Sequence, residues 1–470
     1  MGTINSAFAL IAQALEADQQ GLSVVTNNVA NANTPGYTRE TPNWQENPPV
    51  EIAGIQYGSG ATETGATSVR DRVLEERLAQ QQQAASASGT RLTALNTVQA
   101  LFTPDSGSTS SQAGDIGSDI TSFFSSFSSL EANPTNEALR QQVLSKATTL
   151  AGDVSNAAAS LNAQQAALDQ EASGVTSQVN ALTGALAQLN LQIQATSPTG
   201  DAGTLEDQRQ EDLSQLAQLV GINQVSTENN GLTITTTSGQ LLVSEGSSFP
   251  LTTGSVGGIT HFFLGGSDVT AQLGTGGGEL GGFLTVRDQD IPNALASLDQ
   301  LAYSVSTQVN TLNNAGTDLA GDNGNAGNIF SQPAAVAGSA QAMSVVMTDP
   351  NHIAAAGLGQ GTGDNSNATA MASLGAQAIV SGQTPTNYYS NFVTTLGSTV
   401  SSAQTDNTAL NASVTQLQTQ NDALSGVNLN DEASTLTTME RSYQAASQLF
   451  TMLNTIMASA LNLGEQATVS

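Results

Sequence analysis

The 470-residue sequence has no cysteine, which excludes disulfides, thiol nucleophiles and Cys-ligated metals but leaves the redox compartment open. Only two histidines, His261 and His352, are available for imidazole acid–base or metal chemistry. Charge is scarce: 10% of residues are charged, where about 25% is usual. Ten basic residues stand against 39 acidic ones, for a formal net charge of −29. Nine scattered arginines and the single lysine, Lys146, make no electrostatic footprint for nucleic acid. No run approaches the roughly 18 apolar residues of a membrane-spanning helix. No basic residue precedes Arg39, so the start lacks the cationic segment of a secretory signal. Aromatics make up 4%, which favours thin, Ala-rich helical cores. The length allows roughly three domains of about 150 residues.

What is present is helical periodicity at both ends. Ile4, Phe8, Ile11, Leu15, Leu22, Val25 and Val29 follow alternating steps of four and three, with Asp18 in the one polar seam position. Near the end, Leu429, Leu436, Tyr443, Phe450 and Met457 recur every seven residues. Met439, Ala446, Leu453 and Ala460 form a second row, headed by Glu432. A third seam runs through Val393, Leu396, Val400, Ala403, Leu410, Val414, Leu417 and Leu424, with Asn407 and Asn421 substituted in. Repeats of this kind bury a narrow stripe against other helices. Polar residues in such seams either fix register and partner number or simply face water, and both readings stay open. The two end seams have no packing partner nearby in sequence, so they are expected to pair with each other.

Between the ends, Arg72–Phe102, Asn136–Ala195 and Leu205–Val220 read as helix. The period then changes. Ile222–Val243 alternates, with turn signals at Asn230-Gly231 and Ser238-Gly239, and reads as hairpins. Ile259–Leu273 reads as further strand before the glycine loop Gly274–Gly278, and helix resumes over Leu280–Asn314. Residues 315–385, rich in Gly, Asn and Asp, imply ordered loops and short helices. The fold class is therefore mainly α: long paired N- and C-terminal helices and a helical trunk, interrupted by a small β domain. The expected domains are 1–70 with 426–470 as a terminal helical unit, 71–220 with 279–425 as the trunk, and 221–278 as the β domain.

Catalytic signals are weak. His261 lies in a strand pattern and His352 follows Pro350-Asn351 as a helix start, neither with a carboxylate at local ligand spacing. Gly274–Gly278 lacks the Gly-Lys-Ser/Thr ending of a phosphate loop, and Asp318–Asp322 lacks the ligand spacing of a calcium loop. No enzyme activity, cofactor or metal is expected.

The stretch Asn31-Ala32-Asn33-Thr34-Pro35-Gly36-Tyr37-Thr38-Arg39 stops the first helix, because Asn favours turns and Pro-Gly cannot continue a helix. An ordinary helix terminator would account for it on physical grounds alone. An opening amphipathic helix closed by this motif, paired with a terminal heptad helix, resembles the bacterial flagellar axial proteins of rod, hook and hook–filament junction. Leu205-Glu206-Asp207-Gln208-Arg209 before Leu219-Val220-Gly221-Ile222 is similar to a segment of the first hook-associated protein family, FlgK. So are Gly278–Asp288, Gly363–Ala368, and Gly426–Ala433 leading into Arg441-Ser442-Tyr443-Gln444-Ala445. The order and spacing of these motifs narrow the resemblance to that family. The hook, distal-rod and third hook-associated proteins are the alternatives, with a helical signalling protein further off.

The resemblance implies a structural adaptor joining hook to filament. Its partners would be copies of itself in a ring-like zone, the hook protein, the next hook–filament junction protein and a flagellar export chaperone, with no nucleic acid and no membrane span. It would lie in the extracellular flagellum, exported through the flagellar channel without a cleaved signal peptide. The assembly surface is expected on Ile4, Phe8, Ile11, Leu15, Leu22, Val25 and Val29, on Asn31, Asn33, Pro35, Gly36 and Tyr37 of the motif, and on Leu429, Leu436, Met439, Tyr443, Phe450, Leu453 and Met457. Longer members carry an extra outer domain, in whose place this chain has only 315–385.

Narrow-striped helices bury too little alone to offset an ordering cost of about 1–2 kcal/mol per residue. The ends are therefore predicted to be mobile in the free monomer and helical in the assembly. Amide exchange on a verified monomer tests this, and strong protection across 4–30 and 435–460 would rule it out.

Overall fold

The computed structural model describes residues 2–52, 54–103, 116–197 and 201–466. The chain opens with α1 (Gly2–Asn31). Four strands follow: β1 (Glu40–Glu46), β2 (Val50–Ile52), β3 (Ile55–Tyr57) and β4 (Ala61–Ser68). β1 pairs antiparallel with β4 and β2 with β3, a long ribbon with a small hairpin at its tip. Prolines at 42, 48 and 49 rule out helix here, and the register slips between Pro42 and Trp44, as a missing N–H donor favours. The ribbon lies along α1.

The helical trunk comprises α2 (Arg72–Ala100), α3 (Ile116–Ala132), α4 (Glu137–Thr196) and α5 (Gly203–Leu219). Asp71 caps α2 by accepting from the N–H groups of Val73 and Leu74, and Asn136 caps α4 through Leu139. α4 spans 60 residues, about 90 Å at 1.5 Å per residue. Its Ala-, Leu- and Gln-rich sequence supports helix without a break, and it threads two apolar cores.

The first core gathers Phe123, Phe127 and Leu130 of α3 with Val143, Leu150 and Leu161 of α4. The helical stretches expected from periodicity omit α3, whose serines disguise this apolar row. Its phenylalanines change the thin-core expectation: few aromatics are present, but Phe123 meets both Phe127 and Phe330 at 5.4 Å between ring centroids.

The second core joins the C-terminal half of α4 and α5 to two small sheets. One holds β5 (Ile222–Ser226), β6 (Leu232–Thr236), β7 (Leu241–Ser244) and β8 (Ser247–Ser248) in that order. The other holds β9 (Leu251–Val256), β10 (Ile259–Leu264) and β11 (Ser267–Asp268), with β10 central. The hairpin signals hold, with Asn229, Asn230 and Gly239 all at positive φ. The strand expected to reach Leu273 ends at Asp268 instead, and Thr270–Gly274 forms the short helix α6. Asp268 starts it by accepting from both N–H and hydroxyl of Thr270.

Helix α7 (Gly278–Thr285) runs through a π turn at Val286–Asp290 into α8 (Ile291–Ala315). Beyond it, α9 (Ser339–Ala342), a 3-10 turn at Pro350–His352 and α10 (Ser366–Leu374) punctuate ordered loops, as expected. Buried asparagines of α8 satisfy the loop backbone. Asn310 donates to Phe330 O and accepts from Ile329 N and Phe330 N, while Asn313 serves Gly327, His352 and Ala354. The chain returns through α11 (Pro385–Ser425) and α12 (Leu429–Gln466). α11 packs along α2 through the third seam, where Leu396, Val400 and Ala403 are buried. Asn407, half-buried, reaches Ala85 O of α2 at 3.4 Å, a polar contact across this seam.

Packing of α7 on α2 requires glycine. A Cβ at Gly282 would lie 2.6 Å from Ala87 O. Gly282→Val is predicted to lower stability by about 1–3 kcal/mol, read as a shift in the urea midpoint. Gly152→Ala inside α4, with no neighbour within 4 Å of its added carbon, is the control with the opposite sign, predicted to raise stability by about 0.5–1 kcal/mol through helix propensity.

Candidate assembly site

The first and last helices pair antiparallel. Asn28 of α1 faces Glu432 of α12, Gly21 faces Met439, and Phe8 packs edge-on against Phe450 at 5.4 Å. A buried row of Ala17, Gly21, Val25 and Asn28 carries this contact. The approach at Gly21 is close: a Cβ there would sit 3.0 Å from Met439 Cε and 3.1 Å from Trp44 Cζ2. On α12 the row headed by Glu432 lies deepest, with Glu432 and Ala446 buried.

The expected interface residues divide accordingly. Val25 is buried, while Phe8, Ile11, Leu15, Leu22, Leu436, Met439, Phe450, Leu453 and Met457 are half-buried. Val29, Leu429 and Tyr443 are exposed at 42%, 51% and 39%. Ile4 lies in α1, but its side chain falls outside the described residues. Asn31 bonds back to Asn27, and Asn33, Pro35 and Gly36 sit exposed in the turn, Gly36 at φ +77°. Asp18 keeps one carboxylate oxygen, Oδ2, buried without a hydrogen bond.

A polar cluster closes one end of the pair. Asn28, 1% exposed, uses its whole amide. Its Nδ2 donates to Glu40 O at 2.8 Å and to Glu432 Oε2 at 3.2 Å. Its Oδ1 accepts from Glu40 N at 3.0 Å and from the Tyr37 hydroxyl at 2.8 Å. Glu432 Oε1 takes Arg39 Nε at 2.8 Å, so the buried carboxylate has its counter-charge. Burial, with the carboxylates of Glu40, Asp207 and Glu432 around it, pushes the Tyr37 hydroxyl up to about 12.

The same motif is tied to the trunk. Thr38 N donates to Asp207 Oδ2 at 3.1 Å, and Arg39 N to Ser425 O at 2.8 Å at the end of α11. Asp207 also takes Arg70 Nη2 at 2.5 Å, and Glu206 beside it pairs with Arg70 and Arg72. Two residues on, buried Arg209 donates to Asn190 Oδ1 on α4 and to Asn230 O in the 3-10 turn between β5 and β6. Motifs about 170 and 220 residues apart along the chain thus meet at one junction of terminal pair, trunk and sheet. Asn28, Glu40 and Arg70 are absent from the sequence expectations. The available signal for Asn28 is its place three residues after Val25, on the same helical face.

This arrangement holds segments together and offers no chemistry of its own. Its carboxylates are committed to arginines and backbone donors, and no histidine lies in it. His261 on β10 bonds through Nδ1 to Asp268 Oδ2 at 2.6 Å, a structural pair on the sheet.

Comparison with known proteins follows the same lines. Residues 106–330 match the family model described as the flagellar hook-associated protein FlgK helical domain, and residues 11–38 match one described as flagella basal body rod protein. Flagellar hook-associated protein 1 of Bacillus subtilis (strain 168) is 26% identical, covering 96% of each chain. The protein of that name from Escherichia coli (strain K12) is 27% identical, over 66% of this chain and 57% of its own length. The flagellar hook junction protein FlgK from Burkholderia pseudomallei shares the fold, with a TM-score of 0.64 at 18% identity, covering 74% of this chain and 100% of that one.

Trp44, the sole tryptophan, lies at Gly21 and Met439 and so reports on the helix pair. Asn28→Ala is predicted to destabilise that pair by about 1–3 kcal/mol, seen as an earlier urea transition in Trp44 fluorescence. Tyr37 supplies a pH dependence. Its folded pKa is raised to about 12 from 10.0, so the unfolded chain ionises first and stability falls as pH rises through that window. Tyr37→Phe should flatten the fall between pH 10 and 12 in the same measurement.

Proposed function

We propose that this chain, a flagellar hook-associated structural protein and not an enzyme, joins the hook to the filament through its paired terminal helices. It associates with flagellar components and acts in the flagellum. The observation that carries the reading is that the two ends of the chain form one antiparallel pair, latched by Asn28, Arg39 and Glu432. That pair leaves Leu449, Met452 and Ile456 of α12 exposed on one outer face. Leu10 of α1, with Val50 and Tyr57 of the small hairpin, borders an apolar cleft of about 450 Å³. Surfaces like these are covered when copies pack side by side.

In this proposal residues 1–70 with 426–470 form the tube-lining unit, 71–220 with 279–425 the trunk, and 221–278 the β domain. Copies of the chain form a ring-like zone, with hook protein on one side and the next junction protein on the other. An export chaperone escorts the chain, which leaves unfolded through the flagellar channel to the extracellular structure. Among the described residues no helix is long and apolar enough to cross a membrane. The hook and distal-rod alternatives are not favoured: the rod-protein match covers only residues 11–38, whereas the hook-associated matches extend through the trunk.

Removing residues 1–35 or 430–470 is predicted to leave a soluble, folded trunk that cannot restore filament attachment in a deletion strain. Antibody labelling of intact flagella should give a band at the hook–filament boundary. Restoration by a truncated chain, or labelling along the filament, would overturn the reading.

A further inference from the structure

Far from the terminal pair, three side chains meet that the sequence keeps apart. Asp318 and Asp322 lie in the turn after α8, and His352 closes the 3-10 turn at Pro350–His352. His352 Nδ1 is 2.8 Å from Asp318 Oδ2 and 3.4 Å from Asp322 Oδ2. One ligand atom from each residue lies within 4.8 Å of the others. Local spacing could not show this, because the partners of His352 come from a segment thirty or more residues earlier.

The three are held by backbone as well as by each other. The Asp318 side chain is fully buried, and its Oδ1 accepts from the N–H groups of Gly321 and Asp322, both at 2.8 Å. Its second oxygen is thereby aimed at the imidazole. Leu319 N donates to Asn351 O at 2.9 Å, and Asn313 on α8 donates to His352 O at 3.1 Å. His352 and Asp322 are 38% and 52% exposed, so one side of the cluster is open to water. Arg140, the guanidinium whose charge acts on Asp318, directs its N–H groups to Pro134 O and Ile353 O instead. An ion pair needs one carboxylate for one imidazolium; here two converge on the same nitrogen.

We infer that Asp318, Asp322 and His352 form a site for a divalent transition-metal ion of the zinc or manganese class. The imidazole nitrogen suits borderline zinc and the two carboxylate oxygens also suit the harder manganese ion, whereas calcium and magnesium favour oxygen ligands alone. Water on the exposed side completes the coordination. The backbone donors on Asp318 Oδ1 act as the outer shell that orients a ligand. The bound ion staples the 318–322 turn to the 350–352 turn, a cross-link open to a chain with no cysteine. The site serves the trunk and does not depend on how the ends assemble.

The full chain, freed of metal by chelation, is titrated with zinc chloride and separately with manganese chloride by calorimetry. One ion per chain is expected, with a dissociation constant of about 1–100 µM and a thermal midpoint raised by about 2–6 °C at saturation. His352→Gln, at a half-exposed position that leaves the buried carboxylate and its backbone donors in place, should weaken binding at least about tenfold and abolish the thermal shift. His261→Gln, which removes the other histidine, should change neither. Absence of binding by both ions at millimolar concentration would overturn the site. So would undiminished binding in a His352→Gln chain whose circular dichroism is native.

Discussion

The buried contact of Asn28 with Glu432, and of Glu432 with Arg39, is the constraint on which the architecture depends. It joins residues about 400 positions apart and closes the chain on itself. A buried carboxylate is costly without a counter-charge, so Glu432 is tolerated only when Arg39 and Asn28 arrive together. Tyr37 and Glu40 complete the amide's bonding, and Thr38 hands the same strand to Asp207 on the trunk. The angle between terminal pair and trunk is thus set by directional hydrogen bonds, where apolar stripes alone would allow sliding. Arg39 N to Ser425 O extends the control to the turn between α11 and α12.

Scarce positive charge is used to the same end throughout. Arg70 and Arg72 tie the start of α2 to Glu206 on α5, and Arg91 reaches Asp290 in the π turn. Arg287, 1% exposed, joins Asp169 on α4 to Thr260 O on β10. Arg140 and Arg209 bond to carbonyls of distant loops, and burial lowers the pKa of both. Each of these arginines bridges segments separated along the chain. The planar, permanently charged fork suits that task better than a lysine ammonium, in keeping with the single lysine of this sequence. Elsewhere uncharged amides serve, as Asn310, Asn313 and Asn367 do for loops that would otherwise bury unpaired backbone groups.

The terminal pair combines a firm latch at one end with thin packing along its length. At the latch the Asn28 amide and Glu432 carboxylate are buried and bonded, while toward Phe8 and Met457 the seam is only half-covered. A helix so arranged gains most of its remaining stabilisation from surfaces supplied by other molecules. That gradient agrees with a chain whose ends complete their burial on assembly, and its trunk, with two cores threaded by α4, has no such requirement.

The sequence by itself determined the long helices, the hairpins after Val220, the stop at Pro35-Gly36 and the pairing of the two ends. These follow from period, turn chemistry and the lack of any nearer partner, all of which are local. It also carried the family resemblance, through motifs whose order survives in a linear reading. Only the tertiary structure decided which rows face inward, that α3 supplies an aromatic core behind a serine-rich sequence, and that Thr270–Gly274 turns helical. It alone brought Asn28 to Glu432, Asp207 to Thr38, and His352 to Asp318. The reason is physical: a hydrophobic period repeats along the chain and is visible in it. A hydrogen bond between polar groups hundreds of residues apart leaves no periodic trace, and exists only once packing has placed both partners within 3 Å or so of each other.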